Sequence, residues 1–235
     1  MNTIIEELRH KLQASSDERL ALSSQRFFKD SVKVYGIRTA EVLGLAREYY
    51  KKIQNLDKTA KMALCEELQQ SEYMEESFIA YNWSEKISQD FKETDFVTLK
   101  RWVEKYVSNW AECDTLCNHT VGNFVMKYPQ YLTELKKWTK SSNRWVKRAA
   151  AVSLIIPARK GLFLDDIFVI ADNLLIDPDD MVQKGYGWML KAASQANQAA
   201  VFKYVMNHKA IMPRTALRYA IEKMPTELRA QAMAK

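Results

Sequence analysis

The sequence predicts an all-α protein. Three observations carry that expectation. Six glycines and five prolines in 235 residues are few for strands joined by tight turns. No stretch alternates apolar and polar residues as a strand does. Capping residues recur ahead of runs with helical apolar spacing. At this length a single domain over residues 1–235 can bury a sizeable core unaided.

Taken in order, Met1 to Ser16 reads as an amphipathic helix that carries acids, unlike a basic, apolar secretory leader. Asp17 precedes ERLALSSQRFF, Thr39 precedes AEVLGLAREYYKKI, and Asp57 precedes KTAKMALCEEL; each is placed to cap a helix. Asn143 does the same before RWVKRAAAVSLI. Asp177 and Pro178 read as a cap with proline at the first helical position, opening PDDMVQKGYGWMLKAA. Pro129, Pro157, Pro213 and Pro225 read as punctuation between helices.

Helices in the second half also repeat. Trp145 of WVKRAAAV and Met181 of MVQKGYGWML lie 36 residues apart; Trp110 lies 35 before the first and Thr215 lies 34 after the second. A period in the mid-thirties with two helices per unit signals an α-α superhelix, a solenoid whose equivalent positions line one concave surface. Trp110, Asp114, Arg148, Lys184 and Trp188 are then candidates for that surface.

Charge is unevenly spread. The net charge is +6, and residues 141–235 hold 14 basic against 8 acidic side chains. The densest stretch runs through Lys136, Lys137, Lys140, Arg144, Lys147, Arg148, Arg159 and Lys160, with no acid between Glu134 and Asp165. Such a block suits a polyanion, and it equally suits a solvated cationic surface. No apolar run approaches the roughly 18 residues of a membrane span. The odd cysteines, Cys65, Cys113 and Cys117, fit a reducing compartment, so a cytoplasmic protein is expected.

The stretch NWAECDTLCNHTVGNF, Asn109 to Phe124, concentrates reactive residue types. Trp110 and Asp114, four apart, share a helix face. Cys113, Cys117 and His119 lack a fourth partner, so no metal site is expected, and the cysteines and His119 are assigned to packing. Arg148 stands in RAAA, where small neighbours favour close packing while a guanidinium reaches outward to phosphate or carboxylate; an exposed arginine balancing an acid is the alternative. Two glycines inside GYGWML point to close approach by another backbone or a ligand.

Together NWAECD, WVKRAA, QKGYGWML and FFKDSVKVYGIRT, in that spacing, resemble the AlkD-like DNA alkylation repair glycosylases, a family of HEAT-like repeats. The resemblance runs from about Arg26 to Trp188. It implies a concave basic groove, Asp114 as the catalytic carboxylate, Trp110 and Trp188 around the lesion's deoxyribose, and Arg148 on the nearby backbone, with Lys147 and Lys184 as further backbone contacts. The implied substrates are cationic N3- and N7-alkylated purines in double-stranded DNA, excised by a monomer without base flipping, metal or organic cofactor. Such a protein would associate with the nucleoid when bound. Two departures stand out. Phe27 occupies a place where the family often has tyrosine, and Asn109 one where another aromatic can occur. Some relatives bind distorted or branched DNA without excision, which is the alternative function; a protein-interaction solenoid is a third.

Overall fold

The computed structural model describes residues 2–234. Among them the regular structure is helical, with one isolated parallel bridge between Lys33 and Tyr73. None of the helices is long and apolar enough to cross a membrane. Backbone packing divides the chain into two compact units, Met1–Leu116 and Cys117–Lys235.

Unit 1 contains α1 (Asn2–Ala14), α2 (Glu18–Gln25), α3 (Thr39–Ile53), α4 (Lys58–Gln69), α5 (Met74–Lys86), α6 (Phe96–Lys105) and α7 (Trp110–Thr115). Helix α5 is its centre, packed by α3, α4 and α7, while α1 lies on α3. Its Trp83 is fully buried and donates its indole N–H to the Ala46 carbonyl at 2.9 Å.

Unit 2 contains α8 (Gly122–Lys127), α9 (Leu132–Trp138), α10 (Arg144–Val152), α11 (Ile155–Arg159), α12 (Leu164–Leu174), α13 (Asp180–Ser194), α14 (Gln198–His208), α15 (Arg214–Ile221) and α16 (Thr226–Met233). Each helix packs on near neighbours along the chain: α9 on α10 and α12, α10 on α12 and α13, α13 on α14 and α15, α15 on α16. This succession is the solenoid-like pattern the period implied. The repeat positions fall within one residue of helix starts: α7 at Trp110, α10 at Arg144, α13 at Asp180, α15 at Arg214.

Asp17, Asp57 and Asn143 cap α2, α4 and α10 as expected, Asp17 accepting from two backbone N–H groups of the first turn and the other two from one each. Three expectations shift. Thr39 is the first helical residue of α3; the capping position belongs to Arg38, whose side chain makes no capping bond. The cap of α13 is Asp179, not Asp177. Asp177 accepts from the Asp179 N–H at 2.9 Å and pairs with Lys147, which leaves Asp179 to accept from Met181 and Val182. Pro157 lies inside α11, in its first turn, where the missing N–H has no helical partner to lose.

The glycines of α13 explain its packing. A Cβ on Gly187 would stand 2.7 Å from Tyr219 Cβ and 2.8 Å from the Ala216 carbonyl, so its absence lets α15 press against α13. A Cβ on Gly185 would lie 3.1 Å from Arg148 Cγ. Close approach is therefore by protein, one backbone and one side chain.

Candidate active site

Helix α7 begins with its own hydrogen-bonded cap. Asn109 has extended backbone, and its Oδ1 accepts from the Ala111 and Glu112 N–H groups, both at 3.0 Å. Glu112 reaches back to accept from the Ser108 N–H and hydroxyl, both at 2.9 Å. This reciprocal arrangement is a variant of the capping box in which Glu112 closes on Ser108, one residue before the cap, and Asn109-x-x-Glu112 is its sequence signal. Burial pushes the Glu112 carboxyl above its ordinary range, against the pull of these hydrogen bonds. Asn109, one of the two departures from the family pattern, is thus accounted for locally. Cys113 is fully buried on the inner side of α7, and Cys117 is equally buried.

Trp110 and Asp114 share one face of α7, one turn apart and each half-buried. The indole is fixed from two directions. Its Nε1–H donates to the Phe27 carbonyl at 3.2 Å, and its ring stacks on Phe28 with centroids 5.5 Å apart and planes 20° from parallel. The Phe27 side chain itself is 71% exposed. Immediately after Thr115 the helix widens into a π-helical turn, Leu116–Val121. Such turns often mark functional sites, and nothing in the residue pattern announced this one.

The remaining candidates lie in unit 2. Arg148 is only 5% exposed. Its guanidinium Nη1 donates to the Met181 carbonyl in the first turn of α13, and its stem lies across Gly185. It does not reach outward; it ties α10 to α13. Lys147 forms an ion pair with Asp177 in which both side chains are largely shielded. Lys184 pairs with Asp180 at 3.1 Å across one turn of α13, both partly exposed. Trp188 follows Lys184 by four residues, half-buried on the same helix.

The basic block is less free than its sequence suggests. Lys136 pairs with Asp166 at 2.6 Å and Arg144 with Asp179 at 2.9 Å. The acid-free run in the chain meets acids supplied by α12 and by the cap of α13. Lys137, paired with Glu134 at 2.5 Å, and Lys140, Arg159 and Lys160 are the members exposed at the surface. Among the described residues no group of three or more His, Cys, Asp or Glu side chains is placed to hold a metal ion.

The family model described as DNA alkylation repair enzyme matches residues 8–224. The chain belongs to that family. A solved structure described as a predicted DNA alkylation repair enzyme from Enterococcus faecalis shares the fold, with a TM-score of 0.80 at 18% sequence identity. That match covers 90% of this chain and 98% of the other. No curated protein matches the sequence. Membership in the DNA alkylation repair family makes DNA the partner and repair of alkylation damage the setting in which Trp110 and Asp114 are to be understood.

Proposed function

We propose that this protein is a DNA glycosylase that releases N3- and N7-alkylated purines from duplex DNA, with Asp114 as the catalytic carboxylate. The observation that carries the reading is the pairing on α7 of a half-buried carboxylate with a tryptophan whose ring is held by Phe27 and Phe28, in a chain of this family.

The chemistry asks for little else. An alkylated purine carries positive charge, so when the C1′–N9 bond breaks its electron pair leaves with a neutral base and no acid has to protonate it. The difficulty is the oxocarbenium-like sugar left behind. A fixed carboxylate stabilises that cation as it develops and orients the water whose oxygen bonds to C1′; the water's proton passes to the carboxylate or to solvent. The face of Trp110 favours the same positive charge. Glu112, held within the capping box, supports the helix and takes no part in the reaction.

Trp188 is assigned to DNA contact from unit 2, with Lys184 beside it on α13 for the phosphate backbone. Arg148 acts through α13, which it holds, and Lys147 serves chiefly through Asp177. Exposed Lys140, Arg159 and Lys160 add nonspecific backbone attraction, which weakens with salt.

The test is release of 7-methylguanine from methylated duplex DNA by the parent and by Asp114→Asn. The parent is expected to release base, and the variant to bind DNA comparably while excising at least about 100-fold more slowly. Normal excision by Asp114→Asn would remove the carboxylate mechanism. Salt-sensitive duplex binding without release by either protein would point to a non-catalytic binder of DNA.

A further inference from the structure

The indole of Trp110 depends on the segment between α2 and α3, and that segment depends on a carboxylate with no obvious link to the site. Residues 26–38 leave α2, pass Phe27 and Phe28, and return to the N-terminus of α5. There Glu75, 2% exposed, accepts three successive backbone N–H groups: Tyr35 at 3.0 Å on one oxygen, Gly36 at 2.9 Å and Ile37 at 3.2 Å on the other. Gly36 has φ of +82°, and a Cβ there would stand 2.1 Å from the Asp17 carbonyl, so the turn suits glycine alone.

Neighbouring contacts make the return path rigid. Tyr35 stacks on Tyr73 with centroids 4.0 Å apart and donates its hydroxyl to Glu76 at 2.8 Å. Glu76 also receives Arg9 at 3.0 Å. The Met74 N–H donates to the Lys33 carbonyl at 2.9 Å. By contrast the outer arm of the segment is weakly packed. Phe27 borders a cavity of about 250 Å³, shared with Leu20, Ile37, Met74, Glu75 and Phe78. Beside that void the Phe27 ring has little packing; the Phe27 and Phe28 N–H groups donate to the Ser24 and Gln25 carbonyls, both at 3.1 Å, at the α2 end of the segment, and Glu75 holds its other end.

We infer that Glu75 is a positioning residue for Trp110, acting through the segment 26–38 whose Phe27 carbonyl and Phe28 ring hold the indole. This rests on the proposed glycosylase reading for its catalytic consequence, though not for its structural one. Loosening the anchor lets the Phe27–Phe28 arm move over the cavity, and the indole moves with it. Misplacement by about 1 Å can cost a reaction up to about 100-fold.

The experiment uses the full chain labelled with 5-fluorotryptophan, the Trp110 resonance being assigned with Trp110→Phe. Glu75→Gln places an N–H₂ against backbone donors, and Phe28→Leu removes the stack. Both are expected to shift or broaden the Trp110 signal while the other tryptophans stay unchanged. Both should lower kcat for 7-methylguanine release about tenfold or more, with KM altered less than about twofold. Phe28→Tyr, which keeps an aromatic ring, should restore signal and rate. Should Glu75→Gln fail to fold, Tyr73→Leu loosens the same anchor from outside. An unchanged Trp110 signal in Phe28→Leu and in the folded anchor variant would overturn the inference. If the parent excises nothing, the functional reading fails, while the fluorine signal still decides whether Glu75 positions Trp110.

Discussion

Helices α7 and α10 start alike and end differently. Each is opened by an asparagine whose side chain accepts from the first turn, and each carries a tryptophan within two residues of that cap. In each, one charged side chain is buried, Glu112 in α7 and Arg148 in α10. The acid finds its partners within four residues, at Ser108 and Asn109. The base finds its partner 33 residues on, at the Met181 carbonyl. A buried charge with local partners shapes one helix end, whereas a buried charge with distant partners fixes how two helices pack.

The largest effect expected from that contrast is on stability. Arg148→Ala removes the strut between α10 and α13, opens space over Gly185 and leaves the Met181 carbonyl without its guanidinium. We expect a loss of about 2–4 kcal/mol. Lys184→Ala, on the same pair of helices but in a partly exposed ion pair, should cost under about 1 kcal/mol. Urea unfolding of the two variants measures the difference. Equal costs would mean that Arg148 is no more structural than a surface lysine.

The same contrast separates what is legible in the amino-acid sequence from what is not. Helical class, the caps at Asp17, Asp57 and Asn143, and the repeat starts near Trp110, Trp145, Met181 and Thr215 depend on chain-local spacing, and they are legible. The capping box Asn109-x-x-Glu112 is local too and is legible by the same rule. Arg148's direction, the pairing of Lys136 with Asp166, and the dependence of Trp110 on Phe27 and Phe28, 83 residues away at the hydrogen bond, are set by tertiary contact. Asp177 loses its capping role to Asp179 for the same reason: Lys147, 30 residues distant, competes for it.

Gly187→Ala tests the packing that Arg148 assists. Its Cβ would meet the α15 backbone at 2.8 Å, and backbone yields poorly, so overpacking of about 1–3 kcal/mol outweighs the roughly 1 kcal/mol that alanine gains in helix propensity. Gly185→Ala meets Arg148 alone, its Cγ at 3.1 Å and its Nη1 and Cα at ordinary contact distance, and should be near neutral. Thermal unfolding is expected to order them Gly187→Ala well below Gly185→Ala; the reverse order would place the tight approach elsewhere.

Glu112 gives the local half of the comparison a pH signature. Its pKa is raised by burial, so folding favours the protonated carboxyl. That contribution is complete below the unfolded glutamate value, near pH 4.3, and is lost as pH rises through the raised folded value. Glu112→Gln keeps the shape and does not titrate. The parent's stability relative to the variant should therefore decline with rising pH above about 4 and then level. Denaturant midpoints across that range would refute the assignment if the difference grew with pH.

The smallest effect expected isolates what Gly185 and Gly187 do by removing their reason. Gly44 lies in the middle of α3 in unit 1, and a Cβ there would meet nothing within 4 Å. Alanine should fit the helical backbone and restrict the unfolded chain, stabilising by about 0.4–1 kcal/mol. A helix glycine with open space is a cost that substitution removes, while one against a neighbouring backbone is a packing device that substitution breaks. If Gly44→Ala destabilised the protein as Gly187→Ala is expected to, spacing alone would not distinguish the two glycines, and the close approach of α13 and α15 would lose its explanatory role.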